Sequence, residues 1–240
     1  MKFVFCLPGK TYSKEFLLSW TSLVNWLNKN GHDYVISQNY SSVVHFARAK
    51  CLGANVLLGE DQKPFNGELE YDYIMWIDSD IVFSPKEFQK ILESPYDITT
   101  GLYRMENLTN YAVVKDWDEN YFLENGTFEF LSIDKLQKYK QDVEPRYMKV
   151  VYSGMGWMLI KKGVIEQLKY PWFNHDLIQL IKQNKIDNNN EDQINKISEE
   201  IIIKDMMSED VAFCKNLEKI GIDIYVDTEI IVGHQKYLII

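Results

Sequence analysis

The sequence is poor in cysteine, glycine and proline. Its 240 residues include 3 Cys, 12 Gly and 6 Pro. An odd number of widely spaced cysteines favours neither a disulfide framework nor a cysteine-based zinc site, so a reducing compartment is the simpler expectation. The low glycine and proline content excludes collagen-like and other Pro/Gly-rich chains. Hydrophobic residues make up 46% of the sequence, which is enough to bury a core and excludes intrinsic disorder.

Positive charge is also scarce. Lys and Arg number 26 against 35 Asp and Glu, which gives a formal net charge of -9. Proteins that coat DNA or RNA need clustered basic residues to neutralise the phosphates, so we expect no nucleic-acid partner. An anionic small molecule is still compatible with this charge, because a bound metal ion could supply the positive charge that the surface lacks.

Long hydrophobic runs are absent. No stretch approaches the ~18–20 consecutive apolar residues of a membrane span, so we expect no integral membrane association. The apolar run after Lys2 stops at Pro8 and is shorter than the ~7–15 residues of a secretory signal core. We therefore expect a cytoplasmic protein without a signal peptide.

The N-terminal part of the chain alternates strand-like and helix-like patterns. β-branched and aromatic runs predict strands at 2–7, 33–37, 71–77 and 97–100, and apolar residues at helical spacing predict helices at 15–27, 42–52 and 84–92. The run at 71–77 is almost continuously apolar, which is typical of a central strand buried on both faces. This alternation predicts an α/β sheet that binds ligands at the carboxyl ends of its parallel strands.

The remainder of the chain has a different texture. Residues 103–151 contain short aromatic runs, such as 121–123, that predict antiparallel strands and loops. Residues 174–207 predict a helical insert or a mobile arm, because their isoleucines recur at roughly helical spacing. A helix at 209–220 and a strand at 222–226 return to the α/β pattern.

Two carboxylates follow the most apolar predicted strand, in Asp78-Ser79-Asp80. Residues i and i+2 of an extended segment point the same way, so this pair suits a hard divalent cation. The pattern is unspecific, because about one D-x-D is expected by chance, and a second occurs at Asp116 and Asp118. Position favours the first pair, which ends a buried strand, whereas the second lies in a polar loop. The structural alternative is that Asp78 and Asp80 only cap the following turn.

Ser208, Glu209 and Asp210 stand at the start of a predicted helix. A structural explanation is available, because Ser is a preferred N-cap and acidic residues in the first turn are favoured by the helix dipole. His234 follows the last predicted strand. A lone histidine is usually structural or exposed, but imidazole is also a common transition-metal ligand.

Gly154-Met155-Gly156 interrupts a strand pattern. A glycine pair inside a strand indicates either a bulge or a place where a ligand approaches the backbone closely. The residues themselves leave both interpretations open.

Four features follow one another along the chain: the acidic pair, the glycine turn, the acidic helix start and His234. In this order they resemble the four landmarks of GT-A fold nucleotide-sugar glycosyltransferases. The resemblance covers nearly the whole chain and is greatest to the inverting, family-2-like members. It implies one α/β domain over residues 1–240, with a mixed, mainly parallel central sheet flanked by helices and a smaller antiparallel region on the acceptor side. Residues 1–101 would form the nucleotide-binding half, and residues 102–240 the acceptor-binding half.

The resemblance also implies roles for individual residues. Asp78 would contact the nucleoside or its ribose and belong with Asp80 and His234 to the site of a Mn²⁺ or Mg²⁺ ion that bridges the diphosphate. Asp210 would be the general base, with Glu209 beside it.

Further residues would contact the donor. Pro8 and Gly9 would lie on the nucleobase side, Ser79 belongs to the metal-binding turn, and the segment from Gly154 through Met155 to Gly156 would lie against the donor sugar. Arg48 matches an Ala-Arg-Asn-like helix of such enzymes, although alanine stands at position 49 where asparagine is usual, which weakens this correspondence.

The function implied is transfer of a sugar from a UDP- or GDP-sugar to a glycan or other hydroxyl acceptor, with inversion. Retention would follow if Asp210 only orients the donor. A non-catalytic nucleotide- or carbohydrate-binding domain is one alternative, since fold does not imply activity. A sugar-phosphate nucleotidyltransferase is another, although Leu7-Pro8-Gly9-Lys10 is a poor phosphate loop. Trp157 and Trp172 are either sugar-stacking residues or core residues.

Overall fold

The structure is a computed structural model, and it describes residues 1–142, 146–174, 177–183 and 200–236. The N-terminal part alternates strands and helices as predicted. In chain order these are β1 (Lys2–Pro8), α1 (Lys14–Lys29), β2 (Asp33–Asn39), α2 (Val44–Cys51), β3 (Tyr73–Ile77), β4 (Ile81–Val82), α3 (Pro85–Ile91) and β5 (Ile98–Leu102).

The second half adds shorter elements and completes the sheet. In chain order these are β6 (Val113–Val114), α4 (Glu119–Asn125), α5 (Ile133–Asp142), β7 (Tyr147–Val150), β8 (Tyr152–Ser153), β9 (Trp157–Lys161), β10 (Leu177–Gln183), β11 (Glu200–Met206), α6 (Glu209–Lys219), β12 (Ile224–Ile231) and β13 (Gly233–His234).

A mixed seven-stranded sheet with the order β2-β1-β3-β9-β5-β12-β7 forms the centre of the molecule. β1 is parallel to β2 and β3, and β5 is parallel to β12. β9 is antiparallel to β3 and β5, and β7 is antiparallel to β12. All strands except β9 and β7 therefore run in one direction. The predicted fold class, an α/β domain with a mixed, mainly parallel sheet flanked by helices, is confirmed.

Alternate residues of the central strands face opposite sides of the sheet, as the pleat requires. Val4 and Trp76 belong to a core cluster that includes Phe213 of α6, whereas Phe3 and Met75 belong to a cluster on the opposite side. Helices on both sides thus cover the sheet, which explains why its strands are apolar on both faces.

Trp157 and Trp172 are both 0% exposed and belong to the core. Of the two alternatives for these residues, the core one is confirmed, because a fully buried indole offers no face to a ligand. The cysteines at 6, 51 and 214 are buried and free, as the absence of a disulfide pattern predicts.

Helix boundaries follow the local chemistry. The Ser13 side chain caps α1 by accepting from the Phe16 N–H at 3.0 Å, and Gly31 adopts a φ of +66° just beyond its end. Ser84 and Glu87 form a capping box at the start of α3, in which the Ser84 N–H donates to the Glu87 carboxylate at 2.8 Å.

The predicted strand at 121–123 is wrong, because this run belongs to α4. Asp118 caps that helix by accepting from the Tyr121 N–H at 2.9 Å, and Gly126 ends it with a φ of +67°. An apolar run of three residues has no readable period, so the capping residues on each side decide the structure. Asp118 of the second D-x-D therefore has a structural role.

The helical prediction for 174–207 is also wrong where the chain is described. β10 and β11 pair as an antiparallel hairpin, with Ile181 opposite Ile202 and Leu180 opposite Ile203. Three of these four residues are β-branched isoleucines, which favour strands, and the cross-strand pairs outweigh the helical spacing. The part of the prediction on 184–199 lies outside the described residues. Across the described part of the chain, no helix has the length and apolar character needed to cross a bilayer.

Candidate active site

The two acidic residues of the first D-x-D lie in the turn between β3 and β4, at the carboxyl edge of the sheet. The Asp78 N–H donates to the Gly156 carbonyl at 3.1 Å, so the glycine turn before β9 is next to this turn. Two of the motifs identified in the sequence are therefore neighbours.

Asp78 is held by a buried arginine. The Arg48 guanidinium, 3% exposed, donates to both Asp78 carboxylate oxygens, at 3.0 and 3.1 Å. Its Nε donates to Glu209 at 3.1 Å, and its guanidinium lies 5.5 Å from the centre of the Trp76 ring. Arg48 thus joins α2, the end of β3 and the start of α6.

The charges in this group shift the pKa values of Arg48 and Glu209. Burial lowers the pKa of the Arg48 guanidinium, but the charges of Asp78 and Glu209 raise it by more, so it stays protonated. The pKa of Glu209 is raised by burial and by the neighbouring Asp210 charge, against the opposing effect of Arg48. The group is a buried charge network in which each member depends on the others.

Asp80 contacts a different partner. β13 pairs with β4, with His234 opposite Ile81, and this pairing brings the His234 Nε2 to 3.0 Å from the Asp80 carboxylate. The Lys236 ammonium lies 3.3 Å from the same carboxylate oxygen. Asp78 and Asp80 therefore have separate partners, and Asp80 is in direct contact with His234, the residue that the resemblance assigns to the same cation site.

The tautomer of His234 follows from its second contact. Its Nδ1 donates to the Arg104 carbonyl at 2.6 Å, and a carbonyl can only accept. If Nε2 also carries a proton, it donates that proton to Asp80. If Nε2 carries no proton, its lone pair is available to a cation. Burial lowers the pKa of His234, but the contacts with Asp80 and the Arg104 carbonyl raise it above its ordinary value.

Asp80 and His234 offer two candidate side-chain ligands, one carboxylate and one imidazole, to a cation. Among the described residues, no group of three or more His, Cys, Asp or Glu side chains surrounds a common point. A carboxylate and an imidazole with a carbonyl-fixed tautomer suit Mn²⁺ or Mg²⁺ when phosphate oxygens and water supply the other ligands.

The glycine turn is shaped by Tyr103. A Cβ on Gly154 would lie 2.0 Å from the Tyr103 hydroxyl, and one on Gly156 would lie 3.1 Å from the Tyr103 ring. The Gly156 N–H donates to that hydroxyl at 3.2 Å, and the Tyr103 ring centre is 5.1 Å from the His234 ring. Met155 is fully buried in the core. Tyr103 could not be identified from a local pattern, because its contacts are long-range.

The opening turn also reaches the site. Gly9, which follows Pro8 at the end of β1, has a φ of +155°, and a Cβ there would lie 2.8 Å from the Ser79 Cβ. A side chain at position 9 would therefore collide with the D-x-D turn. This contact places the Pro8-Gly9 turn beside Ser79.

Asp210 is fixed by neighbours other than Arg48. The Tyr152 hydroxyl donates to one of its oxygens at 2.8 Å, and the Ser208 hydroxyl and the Val211 N–H, the latter at 2.9 Å, donate to the other. Burial and then the Asp210 charge raise the pKa of Tyr152 well above its ordinary value, so its hydroxyl stays a donor. Tyr152 is a second site residue that the sequence analysis missed.

Comparisons with known proteins bear on the fold. No family model matches the chain, and no curated protein matches it. The structure of A197 from STIV superimposes with a TM-score of 0.52 at 19% identity, over 99% of this chain and 87% of that chain. The inositol-1-phosphate CTP transferase from T. maritima gives a TM-score of 0.38 at 10% identity, over 98% and 88%. The likeness to A197 shows the fold alone.

Proposed function

We propose that the protein is a metal-dependent glycosyltransferase. It would move a sugar from a nucleoside-diphosphate sugar, with UDP or GDP as the nucleotide, to a hydroxyl of a glycan or other acceptor. The observation that carries this proposal is the arrangement at one sheet edge. A carboxylate–imidazole pair, Asp80 and His234, lies there. The Tyr103 ring is 5.1 Å from the His234 ring and is within range of the charge of Asp210, a carboxylate held separately by Tyr152.

Asp80 and His234 would hold the cation through one carboxylate oxygen and the Nε2 lone pair. A divalent cation bound there supplies positive charge for the departing diphosphate. The Arg104 carbonyl keeps the His234 ring in the required tautomer. The Lys236 ammonium, 3.3 Å from Asp80, pairs with that carboxylate in the structure.

Asp78 would serve the nucleoside rather than the cation. Both of its oxygens accept from Arg48, but each carboxylate oxygen has further lone-pair capacity, and the side chain is 30% exposed. A ribose hydroxyl can therefore donate to Asp78 while Arg48 fixes its position. Gly9 and Ser79 would form the adjoining wall on the nucleobase side.

Asp210 would accept the proton of the acceptor hydroxyl as that oxygen attacks the anomeric carbon. Tyr152 and Ser208 donate to its carboxylate and so fix its orientation, while Glu209 is occupied by Arg48.

Replacement of Asp210 by Asn removes the base and should lower the transfer rate by about 10²–10⁴ without loss of nucleotide binding. Release of nucleoside diphosphate from the donor sugar is the assay.

Thermal unfolding tests the donor site. UDP, GDP and their hexose conjugates should raise the unfolding temperature of the wild-type protein only with Mn²⁺ or Mg²⁺. A ligand at a hundredfold excess over its Kd stabilises the native state by about 2.7 kcal/mol. Asp80→Asn should abolish the metal-dependent part of this stabilisation.

Asp97→Asn is the matched control. Asp97 is an exposed carboxylate just before β5, at the opposite edge of the sheet, where it forms an ion pair with Lys161. This variant should keep the full metal-dependent shift. The proposed metal–diphosphate site would be excluded if the nucleotides raise the unfolding temperature equally with and without metal. It would also be excluded if the metal-dependent increase persists in Asp80→Asn.

A further inference from the structure

A separate cavity of about 700 Å³ lies beside α4, α5 and β7. This volume is within the roughly 300–1,000 Å³ that is usual for small-molecule pockets. None of the residues proposed above to bind the donor, the cation or the acceptor proton lines the cavity. The proposed reaction at the sheet edge therefore does not account for it.

The lining combines apolar, aromatic and polar groups. Leu131 and Met148 are buried apolar side chains, and Trp117 and Tyr139 contribute aromatic rings. An aromatic ring can pack against the C–H face of a sugar, and the surrounding polar side chains can exchange hydrogen bonds with its hydroxyls. This composition suits a ligand that is apolar on one face and polar at its edge.

The lining has four carboxylates against three lysines, and two ion pairs lie among them. Lys115 lies 3.1 Å from Asp116, and Lys135 lies 2.5 Å from Glu129. A phosphorylated ligand would meet these carboxylates together with the lysines, and the cavity offers no excess of positive charge for it. The paired charges instead present both donors and acceptors, as neutral hydroxyl groups require.

A layer of aromatic rings connects the cavity with the candidate active site. Tyr152, which donates to Asp210, is stacked with Phe128 at a centroid distance of 6.3 Å and an interplanar angle of 11°. Phe128 in turn contacts Trp117 at 5.1 Å. The cavity therefore lies on the Asp210 side of the site, where the acceptor is expected.

We infer that this cavity is a binding subsite for a neutral saccharide, and that it holds a sugar unit of an oligosaccharide acceptor away from the reacting hydroxyl. The assignment of that saccharide as acceptor rests on the proposed function. Binding of the saccharide itself does not, because the cavity shares no residue with the proposed metal–diphosphate site.

Saturation-transfer NMR on the full chain, without nucleotide or metal, tests the subsite. The probes are maltotriose, cellotriose, chitotriose and mannotriose, with glucose 6-phosphate as the charged comparison. At least one neutral trisaccharide should bind. Trp117→Ala should weaken that binding by about tenfold, the effect expected when one aromatic contact is lost, and Trp117→Phe should keep most of it.

Leu18→Ala, at an exposed position of α1, is the control for removal of a surface apolar side chain and should bind as the wild type does. If Trp117→Ala unfolds, Tyr139→Leu replaces it, since it removes the other aromatic ring and keeps an apolar side chain. The inference is overturned if no neutral trisaccharide binds, if only the sugar phosphate binds, or if binding ignores both aromatic substitutions.

The same experiment separates this inference from the proposed function. Asp80→Asn should keep saccharide binding while it loses the metal-dependent nucleotide effect. Saccharide binding without any nucleotide binding would refute the glycosyltransferase proposal and leave the subsite intact. Nucleotide binding without saccharide binding would refute the subsite alone.

Discussion

At the scale of single residues, Arg48 is the centre of the candidate site. Its partners Asp78 and Glu209 are 30 and 161 residues away in the chain. Burial of a charge costs several kcal/mol unless the group is paired and hydrogen-bonded, and here three polar hydrogen bonds meet that requirement. The sequence indicated a donor contact for Arg48 but not this network, because no local pattern reports contacts over such separations.

Removal of the Arg48 side chain should destabilise the fold as well as the site. Arg48→Ala leaves Asp78 and Glu209 as neighbouring carboxylates without their counter-charge, so we expect the free energy of unfolding to fall by about 3–5 kcal/mol. Urea unfolding followed by circular dichroism measures this loss.

Arg104→Ala is the control for this prediction. Arg104 is exposed, and its contact with His234 uses the backbone carbonyl, which the substitution retains. Its effect should stay within about 0.5 kcal/mol. Equal losses in the two variants would show that the Arg48 network does not stabilise the fold.

At the scale of elements, the glycine turn depends on the strand that faces it. Tyr103 directly follows β5 and fills the space that side chains at 154 and 156 would need. The sequence left a bulge and a ligand approach as alternatives, and the structure shows a packing reason for both glycines. Contact with the donor sugar stays a prediction.

Gly154→Ala should destabilise the protein by about 1–3 kcal/mol, because its Cβ would overlap the Tyr103 hydroxyl. Gly156→Ala should cost less, since its closest approach is 3.1 Å. A double-mutant cycle with Tyr103→Phe checks the cause by chemical denaturation. The effects of the two changes on the free energy of unfolding should be non-additive, because Tyr103→Phe removes the overlapping hydroxyl and relieves part of the loss caused by Gly154→Ala. Simple additivity would contradict the steric explanation.

The sequence predicted elements best where local signals agree. The helix of residues 85–91 has a capping box, and β3 is a continuous apolar run, so both were found. Residues 121–123 were misread because three apolar residues carry no period. The hairpin of β10 and β11 was misread because isoleucine spacing fits a helix, while cross-strand pairing is visible only once both strands are placed.

The candidate site, like the fold, was predictable only where a local pattern marks the residue. Asp80 was singled out by its position at a strand end and His234 by the family resemblance, and the pairing of β13 with β4 joins them. Tyr103 and Tyr152 were not identified, because a tyrosine in an aromatic-rich segment gives no signal of its partner. Their hydrogen bonds to Gly156 and Asp210 span 53 and 58 residues.

At the scale of the whole molecule, the hairpin of β10 and β11 is separate from the central sheet. Its two strands pair only with each other among the described strands. A two-stranded hairpin contributes little stability by itself. The seven-stranded sheet should therefore fold without it.

Excision of residues 177–206 tests this separation. Leu177 is paired with Met206, so a short Gly/Ser linker can replace the segment without moving its ends apart. We expect one cooperative unfolding transition, with a free energy within about 1 kcal/mol of the wild type, because the core strands are retained. A broad or absent transition in differential scanning calorimetry would show that the hairpin is part of the core.

The position of β12 has a consequence for synthesis of the protein. β12 lies between β5 and β7, although both precede it in the chain. Roughly 120 residues separate β5 from β12, so at ~5–20 residues per second the ribosome needs on the order of ten seconds to supply the missing strand. During that interval the nascent chain has an open β edge, and pairing with another chain competes with completion of its own sheet.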